Sequence, residues 1–351
     1  MKSRKRFFRE LIVVAVAFLS QVSEAQVSYE RILNAGDEPQ NWLTYNGGYM
    51  SQRHSLLQQI DRDNVNQLEL KWVLQNQVFG AWQSNPVIVD GIMYVTERPN
   101  SVMAVDAVTG RVFWKYRHQN ADNALVCCGA NNRGVAVLND KVYMGTLDAH
   151  LVALDRINGQ LLWKAEVGDV DLAYSVTMAP LAVKDKIMVG VGGGEYGIRG
   201  YVAAFDAETG EQVWKTFTIP GPGEPNHDSW EGDDWEHGGA PVWITGSFDS
   251  ELNLTYWGVG NPGPDWNAGQ RPGDNLYSDS AIALDADTGE LKWYFQFTPN
   301  DAYDYDSVQV PVLADIEWRG EAKKVMMWAN RNGYFYVLDR TNGQFLVGKP
   351  Y

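Results

Sequence analysis

One phrase recurs along the chain and restricts the architecture more than any other feature. Ala104-Val105-Asp106 followed by Gly110 and Trp114 returns as Ala153-Leu154-Asp155 with Gly159 and Trp163. It returns again as Ala204-Phe205-Asp206 with Gly210 and Trp214, and as Ala283-Leu284-Asp285 with Gly289 and Trp293. A fifth copy, Val337-Leu338-Asp339 with Gly343, carries Val347 where Trp is expected. The Asp-to-Asp steps are 49, 51, 79 and 54 residues, a regular period with one insertion in the third step. Such self-similarity marks a repeat architecture.

Strand signals bracket each copy. Val87–Val95 is two apolar runs about Asp90-Gly91, and Val135–Met144 repeats this about Asn139-Asp140. Met327–Val337 reads the same way about Asn332-Gly333. These dipeptides supply the positive φ that tight hairpins need. A unit of about 50 residues holding four strands has the size of a propeller blade, whereas a β-solenoid repeats every 20–30 or so. The expectation is an all-β propeller in which each Trp covers the junction between neighbouring blades. Trp72, after Leu68-Glu69-Leu70-Lys71, reads as the Trp-bearing strand of a further blade that a distant part of a longer chain would complete. A five-bladed ring would leave the final repeat truncated, so the chain is expected to be the N-terminal piece of a longer protein.

Composition narrows the function. A hydrophobic content of 45% supports a sizeable core, and 29 basic against 44 acidic residues give a net charge of −15. That balance argues against binding a nucleic-acid backbone, which needs a basic face. Residues 1–25 read as a secretory signal peptide: Lys2, Arg4, Lys5 and Arg6, then apolar Leu11–Leu19, then Ser23-Glu24-Ala25. An uncleaved amphipathic anchor is the alternative. No later run suits a membrane span, so residues 26–351 are expected to form an exported propeller domain without one.

The two cysteines, Cys127 and Cys128, are adjacent. Under oxidising conditions they can close an eight-membered ring, or remain free thiols, or pair with another chain. Asp301, Asp304 and Asp306 make an acidic stretch that on its own reads as a solvated loop. Alternation along an extended segment would put Asp304 and Asp306 on one face.

Cys127-Cys128 with Arg133, Gly193-Gly194-Glu195, Gly258–Pro264, Arg271-Pro272-Gly273-Asp274-Asn275 and the Trp repeats together resemble the pyrroloquinoline quinone (PQQ) dependent methanol/ethanol dehydrogenases. The likeness runs from about Gln40 to Tyr351. It implies a periplasmic, eight-bladed propeller of which this chain supplies roughly the first five to six blades. It also implies oxidation of a primary alcohol to an aldehyde by hydride transfer to PQQ, with electrons passed to a cytochrome c. The cofactor would lie between a Cys127–Cys128 disulfide and the indole of Trp243, with Glu97, Arg133, Thr177, Gly193, Gly194 and Arg331 around its rim. Asp304 matches the catalytic base. Glu195, Asn261, Asp304 and Asp306 match ligands of one metal ion, the oxygen set of a hard cation. Asp306 resembles the lanthanide-using branch, with calcium the fallback. Pro241 stands where methanol-oxidising members have a hydroxyl residue. A homodimer is compatible with the resemblance. Two other readings, a non-enzymatic Trp-repeat scaffold and a PQQ sugar dehydrogenase, fit the cysteine pair and the acidic stretch less well.

Overall fold

The computed structural model describes residues 26–351; the signal-peptide reading lies outside them. Five four-stranded antiparallel sheets follow one another in chain order. They are β1 (Val87–Val89), β2 (Ile92–Glu97), β3 (Ser101–Asp106) and β4 (Val112–Arg117); then β5 (Ala136–Leu138), β6 (Lys141–Gly145), β7 (His150–Asp155) and β8 (Leu161–Glu166). The third holds β9 (Leu181–Val183), β10 (Lys186–Gly190), β11 (Tyr201–Asp206) and β12 (Gln212–Phe217). The fourth holds β13 (Ser247–Asp249), β14 (Leu254–Gly258), β15 (Ser280–Asp285) and β16 (Leu291–Gln296). The fifth holds β17 (Val312–Trp318), β18 (Glu321–Asn330), β19 (Tyr334–Asp339) and β20 (Gln344–Pro350). Each is a simple meander, and the architecture is a β-propeller.

The recurring phrase explains itself in this frame. Its Asp accepts from the two following turn amides: Asp106 Oδ1 takes Val108 and Thr109 N–H at 2.9 and 3.0 Å, and Asp155, Asp206 and Asp285 do the same. This Asx turn joins the third strand of a sheet to the fourth. The Gly that follows has φ near +75° and abuts the Trp of the preceding sheet. A Cβ on Gly159 would stand 2.5 Å from the Trp114 ring, and Gly210, Gly289 and Gly343 meet Trp163, Trp214 and Trp293 likewise. Each indole N–H then donates to a carbonyl of the next sheet: Trp114 to Arg156, Trp163 to Ala207, Trp214 to Ala286 and Trp293 to Arg340, at 3.0–3.3 Å. Trp72 makes the same contact with Gly110 and Ala107, although it belongs to no sheet.

Two expectations are corrected here. The fifth repeat is not truncated, because β17–β20 form a whole sheet. Asn332-Gly333 is also not equivalent to Asp90-Gly91. It joins the second and third strands of its sheet, whereas the first-to-second turn there runs through Arg319-Gly320. In a meander, the second-to-third turns and the links between sheets share one side. Asn332-Gly333 therefore opens on that side, opposite to the Asx turns. Ahead of the sheets, helix α1 (Tyr29–Leu33) is tied to the first sheet by Arg31, whose guanidinium meets both Glu38 and Asp90. Among the described residues no helix is long and apolar enough to cross a membrane.

Candidate cofactor cavity

On that side, segments from all five sheets converge on a cavity of about 370 Å³. The β4–β5 link contributes Cys127, Cys128, Asn131 and Arg133, and the β8–β9 link Ser175 and Thr177. Gly193 and Glu195 come from the β10–β11 turn, and Pro241 and Trp243 from the β12–β13 link. Asp265 and Trp266 come from the β14–β15 turn, Asp304 and Asp306 from the β16–β17 link, and Arg331 from the β18–β19 turn. A void of this size, apolar on one part and convergently polar on another, suits a compact ligand.

Cys127 and Cys128 form a disulfide, with Cys128 at φ +63° and Gly129 at +95°. The Glu195 carboxylate lies within 4.8 Å of both sulfurs. Arg133 donates to Thr177 Oγ1 at 2.8 Å, and its guanidinium sits 4.6 Å over the Trp243 ring. One indole face is thus already covered by a cation, which the resemblance did not anticipate. Gly193 cannot be replaced by a larger residue: at φ +117° an added Cβ would meet the Ala173 carbonyl oxygen at 2.3 Å.

Asp306 is the hub of the polar wall. Its Oδ1 accepts from Trp243 Nε1 at 3.2 Å and from the Asn261 amide at 3.3 Å, and its Oδ2 from Arg331 at 3.3 Å. Asp304 and Asp306 do reach one cavity, but not by strand alternation. Both have positive φ, +59° and +50°, and the segment is irregular. Asp301 shapes it by accepting the Tyr303 and Tyr305 amides at 3.0 and 2.8 Å. Arg271 braces the same region from beneath, fully buried, with donations to the carbonyls of Pro264, Asp265 and Asp301. The Arg271–Asn275 motif is therefore a support for two walls of the cavity.

Four carboxylates share the cavity, and each binds its proton more tightly than an ordinary one. Burial is the leading cause in every case, reinforced by a neighbouring carboxylate: Asp265 and Asp304 for Glu195, Asp301 for Asp265, Asp265 for Asp304, and Asp304 for Asp306. Asp306 is pushed up to about 7. Such mutual repulsion is what a bound cation relieves, so the donor set fits a hard metal ion. Asn261 lies just behind this wall, 2% exposed, with its amide nitrogen given to Asp265 at 2.7 Å. That leaves its amide oxygen as the atom to offer a cation.

Glu97 does not join the others. It is buried in an ion pair with Lys115 and lines no part of the cavity. Gly194 is also set back, packed against Pro241. Asp265, Trp266, Asn131, Ser175 and Gln83 line the cavity without having been singled out. The aspartate and indole of Asp265-Trp266, adjoining Asn261 in the same motif, were the available signal.

A propeller whose inter-sheet links gather a cysteine pair, an indole, a buried arginine and a carboxylate cluster belongs to the quinoprotein class. The family model for the PQQ "Glucose/ethanol/alcohol dehydrogenase, beta-propeller domain" matches residues 42–348, and the chain belongs to that family. It is 39% identical to quinoprotein alcohol dehydrogenase PedH of Pseudomonas putida, covering 99% of this chain and 61% of that protein. It is 42% identical to quinohemoprotein alcohol dehydrogenase ADH-IIG of the same species, over 93% and 48%. Among solved structures, a europium-containing methanol dehydrogenase superposes with a TM-score of 0.87 at 36% identity, over 92% of this chain and 60% of the other. The chain thus spans about half to three-fifths of the relatives it matches.

Proposed function

We propose that this chain forms the cofactor-binding part of a periplasmic PQQ-dependent alcohol dehydrogenase that oxidises a primary alcohol and passes electrons to a cytochrome c. The observation that carries this reading is the convergence of the Cys127–Cys128 disulfide, Trp243, Arg133 and four carboxylates on one cavity. The disulfide and Trp243 would hold the flat faces of PQQ, with Arg133, Thr177, Gly193 and Arg331 at its edges. Glu195, Asn261, Asp304 and Asp306 would hold the cation. When bound, PQQ supplies a two-electron acceptor for the alcohol's hydride, and the cation supplies Lewis acidity beside it.

The chain's own part is proton handling and placement. Asp304 is half-buried and its carboxylate is made more basic by that burial and by Asp265, so it suits removal of the alcohol's hydroxyl proton. The Arg331 guanidinium acts against that rise without cancelling it. Asp306 adds a further buried negative charge, which favours a trivalent over a divalent ion by Coulomb attraction. This supports a lanthanide, with calcium as the fallback, and the likeness to a europium-containing methanol dehydrogenase is consistent with it. The acidic surface suits a basic redox partner.

Reconstitution tests both layers. The metal-free full-length protein is supplied with PQQ and either calcium or lanthanum, and primary-alcohol oxidation is followed with a dye acceptor. Activity with lanthanum, lost in Asp306→Ala, is expected. Equal activity with calcium alone, unchanged in Asp306→Ala, ends the lanthanide assignment; no oxidation with either metal ends the enzymatic one.

A further inference from the structure

Away from the cavity, one group of side chains has chemistry that alcohol oxidation leaves unused. The chain has only five histidines, and two of them meet here from different sheets. His118 leaves β4, while Asp148 lies on the β6–β7 turn and His150 opens β7. His118 Nε2 stands 2.9 and 3.0 Å from the two Asp148 oxygens. His150 Nδ1 faces Asp148 Oδ1 at 3.5 Å. One ligand atom from each of the three lies within 4.8 Å of the others, and the side chains are only 6%, 5% and 20% exposed.

A histidine–aspartate hydrogen bond accounts for His118 but not for His150. The Nδ1 of His150 is buried and satisfied by no hydrogen bond, an arrangement that costs desolvation without return. The carboxylate between the rings is held from behind: Thr146 Oγ1 donates to its Oδ1 at 2.6 Å and the Ala121 amide to its Oδ2 at 3.2 Å. Supporting bonds of this kind orient metal ligands. Metal bonds of about 2.0–2.2 Å in a tetrahedron place ligand atoms roughly 3.3 Å apart, and the observed 2.9 and 3.5 Å bracket that spacing.

We propose that His118, Asp148 and His150 form a second metal site, for a borderline divalent cation such as Zn²⁺, with water completing the shell. Two imidazoles and one carboxylate select a different ion from the oxygen-rich cavity wall, and the site stands independently of the alcohol-oxidising reading. Its position gives it a structural task. The ion would clasp the β6–β7 turn to the link leaving β4, the same link that carries Cys127 and Cys128.

The test uses the full-length protein, stripped with a chelator and titrated with Co²⁺ and then Zn²⁺. One equivalent of Co²⁺ is expected to give the intense visible bands of a nitrogen-ligated tetrahedral ion, and Zn²⁺ to displace it and raise the melting temperature. His118→Gln and His150→Gln abolish the bands, Thr146→Val weakens binding about 10–100-fold, and Glu195→Gln leaves the bands in place. Absence of bands at excess Co²⁺, or undiminished bands in both histidine variants, overturns the proposal. Because removing His118 also removes a bond between two sheets, X-ray absorption of the zinc-loaded wild type gives a readout free of folding effects. Two imidazole nitrogens are expected there, and an all-oxygen shell refutes the site.

Discussion

Burial and mutual repulsion make the cavity carboxylates reluctant to ionise, and this sets what each should do when altered. Asp304→Asn removes the proton acceptor while preserving shape, so turnover of the reconstituted full-length protein should fall by about 10²–10⁴-fold with PQQ uptake retained. Steady-state assays and cofactor absorbance check this, and a variant keeping more than a tenth of its activity would exclude Asp304 as base. Asp265 acts one step back by holding the amide of Asn261. Asp265→Asn should therefore weaken metal binding about 10–100-fold, read by metal titration. Asp304, Asp306, Glu195, Arg133, Thr177, Gly193, Trp243 and the cysteine pair were all recognisable because they sit in local motifs. Glu97 was misplaced since nothing in its motif reveals that Lys115, 18 residues on, captures it. The positive φ values of Asp304 and Asp306 were hidden as well. Asp301 dictates them through two amides, a relation that strand periodicity cannot express.

At the scale of elements, the junctions between sheets depend on one contact used repeatedly. Gly159 has φ +73° and leaves no room for a methyl group against Trp114, whereas Gly333, at φ +85°, has open space around it. Gly333→Ala should cost about 1 kcal/mol from backbone conformation alone. Gly159→Ala should cost that and a steric term, bringing it to about 2–4 kcal/mol. Denaturant unfolding of the two variants measures the difference, and equal losses would show that the Trp contact contributes little. This junction was legible in sequence because Asp, Gly and Trp recur at fixed offsets. The side on which a turn opens was less so. The same kind of dipeptide, Asp-Gly or Asn-Gly, serves wherever positive φ is needed, and only strand order shows that the Asn332-Gly333 turn opens on the cavity's side. Helix α1 allows a pH test. Arg31 hydrogen bonds hold the Glu38 and Asp90 carboxyls below their usual range, against the opposing effect of burial. Groups with depressed folded values stabilise above the unfolded carboxylate range and lose that contribution as pH falls through the folded values. Both partners being partly exposed, the clasp is worth less than about 1 kcal/mol. Amide protection factors in α1, referred to the unfolded chain at the same pH, should therefore be unchanged from pH 7 to 5 and fall by up to about 5-fold below about pH 4, while Arg31→Met should show the lowered protection throughout.

For the whole molecule, the distribution of apolar surface is the informative feature. Leu56, Leu57, Ile60, Leu68, Leu70, Val73 and Phe79 are exposed along one stretch without regular strands, Phe79 at 95%. On the fifth sheet, Tyr334, Phe335 and Phe345 are exposed too. Large apolar side chains exposed in such number along one segment are unusual for a soluble monomer. Trp72 sharpens the point, since it docks on Gly110 as every other junction Trp docks on its glycine, yet its own segment pairs with no neighbouring strand. A segment that makes the contact of a fourth strand and pairs with no strand among the described residues leaves its own backbone edge unpaired. Residues 26–351 expressed alone should therefore bind a hydrophobic dye strongly and self-associate in sedimentation, and the full-length protein should do neither. A dye-silent, monomeric fragment would mean that this stretch folds back over its own apolar residues. The Trp72 contact would then be the end of the propeller's repeat in this chain and not the first strand of another sheet.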